Sequence, residues 1–273
     1  MTNSLTTFET ELRERLLNVL YSQWQQLGAP FNSPIEPSRT EIIDPEALLW
    51  CSLEFFPTEP RLREGVTAWY KAHKKSIIRR RIPAKNNPDD LRTSLWNDLE
   101  NKTSIEEYHS PGDIIQTPST SLFRARNILG NDAKHFLLIC LLPQYSSNLL
   151  KDIALYSGYT YRNLADVANR WATAGIVSFE NGYCRLTDPA PWCKLLKTPR
   201  NTTFLIPWFK IFDTLVAQLR FLNNAHQKNI IPNSPAIRSA CRTTLETIVS
   251  ARFSGLPNPW SITYLCEPLK SFK

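Results

Sequence analysis

The strongest constraint on this chain is the order of short patterns within residues 131–187. Residues 132–142 end in an unbroken apolar run, residues 136–142, that Pro143 follows, which predicts a buried helix. A polar turn at residues 144–147 follows, and residues 148–156 carry apolar side chains at helical spacing. The segment is therefore predicted to begin as two helices joined by a short turn.

A third helix is predicted over residues 161–174, after a tight turn at Ser157-Gly158-Tyr159. Thr160 is a favourable N-cap because its hydroxyl accepts a hydrogen bond from the first turn of a helix. Gly175 stands where glycine is favoured after a helix end. Both ends of this helix are thus marked by residues with a specific physical role.

Two short apolar stretches, at residues 176–179 and 183–187, complete the segment. Asn181-Gly182 separates them, and Asn-Gly between apolar runs is a strong signal for a β-hairpin. This order of elements resembles the winged helix-turn-helix family of bacterial transcriptional regulators, and the resemblance is confined to residues 131–187. The matching positions are Ala154, Gly158, Thr160, Leu164, Ala168, Trp171 and the step Ala174-Gly175-Ile176-Val177.

The resemblance implies that the third helix enters the major groove of double-stranded DNA with its N-terminal residues. The apolar stripe Leu164, Val167, Ala168 and Trp171 shares one side and is predicted to be buried. Hydroxyl, guanidinium and amide groups on the other side are those that bind phosphates and base edges. The candidate DNA-binding residues on this element are Thr160, Tyr161, Arg162, Asn163, Asp166, Asn169 and Arg170.

Two positions depart from the pattern that DNA binding favours. Asp166 is acidic and repels phosphate unless it pairs with Arg162 or accepts a hydrogen bond from a cytosine amine. The predicted hairpin tip, Glu180-Asn181-Gly182, lacks the arginine or lysine common there in the family. The alternative for Arg162 and Asn163 is a solvated surface, and winged helices also serve as protein-docking modules.

Charge is unevenly distributed along the chain, which has a net charge of +7. Residues 1–60 carry three basic and nine acidic groups, whereas residues 61–85 carry nine basic and one acidic group. A basic stretch on a helix can track a phosphate backbone, and a solubilising surface at the end of a helical module is the alternative. The candidates for phosphate contact here are Lys74, Lys75, Arg79, Arg80 and Arg81, with Arg124 and Arg126 as weaker ones.

The predicted fold class is mainly α, with a central winged helix of three helices and a two-stranded hairpin. Residues 1–82 are predicted to form a helical N-terminal module, and residues 83–130 a connector with one short helix near 91–99. Residues 188–273 are predicted to form a helical C-terminal module. The helices predicted at residues 5–27 and 204–222 carry more leucine and aromatic side chains than one small module needs, which predicts dimerisation through them.

The sequence carries no recognised motif for catalysis or for metal or cofactor binding. There is no glycine-rich phosphate loop, no G-x-S-x-G and no H-E-x-x-H, so an enzyme is not expected. The six cysteines lack C-x-x-C spacing and are interpreted as buried free thiols in a reducing cytosol. No signal peptide is recognised and the longest apolar run, FLLICLL, is too short to span a bilayer, which predicts a cytoplasmic protein.

These observations favour a sequence-specific DNA-binding regulator that acts as a homodimer, since one winged helix buries little DNA surface. The alternative is an interaction protein, antitoxin-like or defence-associated, whose helical modules bind a partner protein. The two functions can coexist in one chain.

Overall fold

The computed structural model describes residues 5–36, 41–86, 88–101, 117–142, 148–198, 204–228, 230, 234–250 and 260–270. The predicted turn at 144–147 and residues 102–116 of the predicted connector lie outside the described residues. The fold is mainly helical. Within the described residues the helices are α1 (Leu5–Gln26), α2 (Pro45–Leu53), α3 (Pro60–His73), α4 (Leu91–Asn101), α5 (Ser121–Leu129), α6 (Ala133–Leu141), α7 (Leu150–Ser157), α8 (Tyr161–Thr173), α9 (Ala190–Leu195), α10 (Trp208–Gln227), α11 (Pro235–Ser250) and α12 (Trp260–Lys270).

Five short strands form two small sheets among the described residues. They are β1 (Glu41–Ile42), β2 (Asn148–Leu149), β3 (Val177–Glu180), β4 (Tyr183–Leu186) and β5 (Phe204–Leu205). In the antiparallel sheet β4 is central, with β3 on one side and β2 on the other. The second sheet pairs β1 with β5 in parallel, which joins the N-terminal part of the chain to the segment that leads into α10.

The larger of two hydrophobic cores is shared by helices from both ends of the chain. Helices α1 to α4 contribute to it together with α10, α11 and α12. The indole N–H groups of two of its tryptophans have buried acceptors: Trp24 Nε1 donates to Ser52 Oγ at 2.8 Å and Trp208 Nε1 donates to the Ile42 carbonyl at 2.9 Å. The two terminal segments predicted as separate modules therefore pack as one helical core.

The apolar side chains that suggested dimerisation are buried within this core. The stripe of α1 that includes Leu12, Leu16 and Trp24 is fully buried, as are Phe212 and Leu215 of α10. Helices α1 and α10 contact each other in the same chain. Their apolar content is thus accounted for by packing within one protomer, so it no longer argues for an interface between two.

The smaller core comprises α5 to α9 and the three-stranded sheet. Helix α5 lies in the predicted connector, yet it packs on α6 and contributes Leu122 and Ala125 to this core. Helix α9, from the predicted C-terminal module, contributes Cys193. The compact unit around residues 131–187 is therefore longer at both ends than its sequence pattern indicates.

Candidate nucleic-acid interface

Helix α8 begins where two local signals in the sequence place it. Gly158 adopts a φ of +70°, a left-handed conformation that glycine accepts without strain, and so ends α7. The chain then extends through Thr160, whose Oγ1 accepts a hydrogen bond from the backbone N–H of Asn163 at 3.2 Å. Thr160 thus serves as the N-cap of α8, while its hydroxyl proton remains free to donate.

The two faces of α8 differ in the way that the sequence pattern predicts. Leu164, Val167, Ala168 and Trp171 are buried, and the Trp171 ring stacks on Trp192 with centroids 6.5 Å apart. The opposite side carries the polar groups. The exposed residues of this side that sequence analysis selected are Tyr161, Arg162, Asn163, Asp166, Asn169 and Arg170.

The hairpin β3–β4 lies next to the N-terminus of α8. Asn181 and Gly182 form its turn with φ values of 51° and 82°, as a two-residue turn with both φ positive requires. A Cβ built on Gly182 would lie 3.9 Å from Tyr161 Oη, which places the phenol beside the turn. Strand β2 pairs with β4 on the other edge and so anchors the hairpin to the start of α7.

A groove beside α8 brings together four of the predicted residues from two distant parts of the sequence. Arg80, Asn163, Asp166 and Arg170 all line it, so part of the basic stretch meets the polar side of α8. The Arg80 guanidinium lies over the Tyr159 ring, 4.6 Å from its centroid. This contact holds Arg80 at the groove.

Lys134 of α6 also lines this groove, and sequence analysis missed it. It follows the N-cap Asp132, whose side chain accepts from the Lys134 backbone N–H at 2.8 Å. The Lys134 Nζ and Asp132 Oδ2 atoms are 2.9 Å apart. A lysine in the first turn of a predicted helix carries no distinctive signal in sequence, because helices commonly expose lysine there.

The charges on α8 are arranged differently from the sequence-based hypothesis. Arg162 and Asp166, both exposed on α8, form no ion pair with each other in the described structure, although their spacing would allow one. Arg170 instead donates from Nε to the Asp166 carbonyl oxygen at 3.1 Å. Arg162 has no ion-pair partner among the described residues, so its five N–H donors face solvent.

The basic stretch is not a continuous helix. Lys74–Ser76 and Arg79–Arg81 form two short 3-10 turns, and Ile77 and Ile78 between them are buried. Lys75, Arg79 and Arg80 are exposed, and Lys74 is partly so. Arg79 Nε lies 3.0 Å from Glu100 Oε2, which already balances its charge. Lys75 and Arg80 are therefore the better phosphate candidates of this stretch.

Arg81 and Arg126 do not lie on the surface, and we remove both from the candidate interface. The side chain of Glu46 lies between them: Arg81 Nη1 donates to its Oε2 at 2.6 Å, and Arg126 Nη2 donates to the same oxygen at 2.6 Å. Asp44 accepts from both Nη atoms of Arg81. The four side chains form a neutral buried network, which we call the carboxylate–guanidinium network.

This network connects the two cores. Asp44 and Glu46 belong to the start of α2, in the larger core, whereas Arg126 belongs to α5 of the smaller core. Burial alone would raise the pKa of the Glu46 carboxyl, but the guanidinium groups of Arg126 and Arg81 outweigh burial and hold that pKa below its ordinary value. Glu46 is thus an anion that two buried cations require.

His135 extends the network into α6. Burial, reinforced by Arg126 and Arg81, lowers the pKa of His135 to about 3. The ring is therefore neutral, with Nδ1–H donating to the Gly130 carbonyl at 3.0 Å and Nε2 accepting from Arg126 Nε at 3.3 Å. Each ring nitrogen has one partner, and the imidazole has a structural role in joining α5 to α6.

Arg124, the weaker candidate on α5, also bonds within the protein. Its guanidinium donates to Thr120 Oγ1 at 2.8 Å and to the Leu196 carbonyl. These two hydrogen bonds hold the Arg124 side chain against the protein. Arg124, like Arg126, is therefore no longer a candidate for contact with DNA.

All six cysteines are buried and free, as predicted. Within the described ranges no three His, Cys, Asp or Glu side chains are grouped so that they could hold a metal ion. None of the described helices combines the length and the apolarity that crossing a membrane requires.

No family model, no curated protein and no solved structure matches this chain.

Proposed function

We propose that this chain is a DNA-binding transcriptional regulator in which residues 133–186 form a winged helix-turn-helix and α8 is the recognition helix. The observation that carries the proposal is the exposed polar side of α8, with its capped N-terminus beside the hairpin turn. A helix N-terminus presents unpaired backbone N–H groups and the positive end of the helix dipole, both of which favour phosphate.

The rigidity of this presentation supports the same function. A recognition helix must hold its side chains to within about 0.5 Å of the geometry that base contacts require, which needs a packed support. The buried side of α8 packs on α6 and α7. The pairing of β2 with β4 holds the hairpin against the same unit. The exposed side chains of α8 thus project from a well-supported element.

Two groups of side chains have different roles in the proposal. Arg162 has no ion-pair partner among the described residues, and its guanidinium can bond guanine O6 and N7 in a fork. Asn163 and Arg170 line the groove with Arg80, and these two guanidinium groups would contact the phosphate backbone, whereas Asp132 balances the charge of Lys134. Tyr161 and Asn169 complete the exposed side, and Asp166 lines the groove as an acidic group that would oppose phosphate.

We further propose that the protein binds DNA as a homodimer in the cytoplasm, because a single recognition helix covers too little DNA for tight specific binding. Since α1 and α10 are used within one protomer, we assign no interface to them. The number of protomers bound to each DNA site follows directly from the stoichiometry of the complex.

A protein-docking function is the second candidate, and the aromatic side chains around the hairpin favour it. Tyr161 and Tyr183 are both nearly half exposed and flank the same turn. Exposed tyrosines are enriched at the centres of protein interfaces. Glu180 pairs with Tyr183 across the hairpin, and its charge would oppose phosphate but not a basic partner protein.

The test begins with selection of DNA bound by the full-length protein from a random pool, followed by affinity measurements on the selected and a scrambled sequence. Arg162→Ala is expected to weaken binding to the selected sequence by about ten- to a hundredfold, since one good fork-shaped pair contributes ~1–3 kcal/mol of discrimination. If Asn163 contacts phosphate, Asn163→Ala is expected to lower the affinity for the selected and the scrambled DNA by similar factors.

The matched control is Arg238→Ala, which removes an exposed arginine from α11 of the larger core. It carries the same change in net charge and is expected to leave the affinity for the selected DNA unaltered. Equal losses in the Arg162 and Arg238 variants would mean that only net charge matters, and α8 would then not be a recognition helix. Failure of the pool to yield any enriched sequence would favour protein docking.

A further inference from the structure

Two consecutive arginines pack against two consecutive residues of the turn that precedes α8. Arg81 packs against Gly158, where an added Cβ would lie 3.1 Å from Arg81 Cγ. Arg80 lies over Tyr159, with its guanidinium carbon 4.6 Å from the ring centroid. Gly158 ends α7, and α8 begins two residues after Tyr159. These contacts therefore join the short turn Arg79–Arg81 to the start of the recognition helix proposed above.

The Tyr159 ring is a rigid support for this contact. The residue is only 4% exposed, and its ring packs against two rings of α6. The centroids of these rings lie 6.2 Å away for His135 and 6.3 Å away for Phe136. The Tyr159 backbone N–H donates to Ser157 Oγ at 3.0 Å, which fixes the main chain of the turn. Ring and backbone are thus both held in place.

The Arg80 side chain, in contrast, gains order from Tyr159. It is exposed and forms no ion pair among the described residues. A free arginine samples many rotamers and loses that freedom when it binds a phosphate. The face of an aromatic ring is partly negative and attracts a guanidinium group. The ring therefore orders Arg80 before DNA arrives, which lowers the entropic cost of the phosphate contact.

Both neighbours of Arg80 already have partners within the protein. Arg79 Nε lies 3.0 Å from Glu100 Oε2. Arg81 Nη1 donates to Glu46 Oε2 at 2.6 Å within the carboxylate–guanidinium network. These contacts hold the backbone that carries Arg80 and use the charges on either side of it. Arg80 is thus the arginine of this turn whose charge is left for DNA.

We propose that Tyr159 is a positioning residue for DNA binding, which holds the Arg80 guanidinium where it meets a phosphate without contacting DNA itself. The inference rests on the proposed function of α8 and adds a buried residue to its exposed polar side. Tyr159 immediately precedes Thr160, the N-cap of α8. One residue therefore keeps the phosphate contact at a fixed separation from the helix that reads the bases.

The experiment compares Tyr159→Leu with Tyr159→Phe in the full-length protein, on the selected and the scrambled DNA. Leucine removes the aromatic face, whereas phenylalanine keeps it. Tyr159→Leu is expected to lower the affinity for both DNAs by about two- to fivefold, the scale of an exposed cation–π contact. The two losses should be similar because phosphate contacts carry no sequence information. Tyr159→Phe is expected to bind both DNAs as the wild type does.

Two controls separate positioning from a general effect on the fold. Phe123→Leu also removes a ring that is 4% exposed, from α5, and is expected to leave DNA affinity unchanged. In an Arg80→Gln background, Tyr159→Leu is expected to cause no further loss, since the group that the ring positions is already gone. Urea unfolding verifies that every variant is folded under the conditions of the binding measurements.

A measurement without DNA tests the contact itself. Protons that lie over the face of an aromatic ring are shielded, so the δ-methylene protons of Arg80 should resonate upfield in the NMR spectrum of the wild type. Tyr159→Phe should keep this shift, and Tyr159→Leu should return the protons to their ordinary position.

Four outcomes would overturn the proposal. They are the absence of the upfield shift in the wild type, wild-type affinity in Tyr159→Leu, equal losses in Tyr159→Phe and Tyr159→Leu, and an undiminished loss in the Arg80→Gln background. If the wild type shows the upfield shift but binds no DNA, the proposed function of α8 is refuted, and the role of Tyr159 in DNA binding is refuted with it.

Discussion

Glu46→Gln removes the charge on which the carboxylate–guanidinium network depends while keeping the side chain's size. In the wild type, Glu46 is fully buried and accepts hydrogen bonds from the Ile78 backbone N–H and from the guanidinium groups of Arg81 and Arg126. After the substitution, two buried cations face the single carboxylate of Asp44. One positive charge is then unpaired in the interior.

The expected loss is large because it is the cost of an uncompensated buried charge. Removing one partner of a buried ion pair typically lowers the free energy of unfolding by about 3–5 kcal/mol. Whole domains are stable by about 5–15 kcal/mol, so this variant should lose a substantial share of its stability. The matched control is Glu246→Gln, whose partner Arg242 is 3.7 Å away and whose side chain is 69% exposed. We expect no measurable change there.

A second substitution tests the cause of the loss. Arg126→Met on its own leaves Glu46 with one cation fewer, but in the Glu46→Gln background it removes the unpaired charge. Its cost is therefore expected to be smaller in that background by about 1–3 kcal/mol, as found for side chains that interact directly. Urea unfolding, followed by tryptophan fluorescence and far-UV circular dichroism, gives the free energy of unfolding of the wild type, the two single variants and the double variant.

The reasoning is refuted if Glu46→Gln costs less than about 1 kcal/mol at an unchanged dependence on urea, or if the two losses simply add. In the first case the neighbouring groups or solvent would be compensating the charge. In the second, Glu46 and Arg126 would contribute independently, and the network would not join the two cores as a unit.

Two further predictions concern salt and pH. Replacing Lys75 and Arg80 together by glutamine should flatten the slope of log affinity for DNA against log salt by about 1.8, since each lost phosphate contact contributes ~0.9; an unchanged slope with intact folding would make both a solvated surface. Burial lowers the pKa of His135 from its ordinary value of 6.5 to about 3 in the folded protein, so the unfolded chain binds the extra proton between these values. The free energy of unfolding should therefore fall by about 1.4 kcal/mol per pH unit as pH drops below 6.5 towards 3. His135→Gln should make this slope shallower by up to about 1.4 kcal/mol per pH unit, with a remainder from His73 and Glu46, whose pKa values are also lowered, and the exposed His226→Gln should leave the slope unchanged. A variant at position 135 with the wild-type slope would contradict the assignment.

The features predictable from sequence are those decided by neighbouring residues. The Thr160 cap, the left-handed Gly158 and the turn at Asn181-Gly182 each depend on a few adjacent positions. The buried stripe of α8 follows from helical spacing alone. For the same reason the set of exposed side chains on α8 matches the sequence-based candidates.

Short elements that depend on distant partners were not predictable. Asn148 and Leu149 appear in sequence as the start of a helix, but they pair with Cys184 and Tyr183 of β4 and so form a strand. Helices α5 and α9 are short, with nine and six residues, and they lie outside the segment that carried the sequence pattern although both pack on the smaller core. Both are examples of tertiary contacts overriding weak local preference.

The sequence by itself determined that the chain is mainly helical and that α8 has one apolar and one polar side, because these follow from local spacing and capping. Only the tertiary structure decided which basic residues reach solvent. Arg81 and Arg126 are indistinguishable from Arg80 in sequence. Both are nevertheless buried, because folding brings them against Glu46, which is 35 and 80 residues away from them along the chain. The desolvation of a charge depends on what surrounds it in space, and composition holds no record of those neighbours.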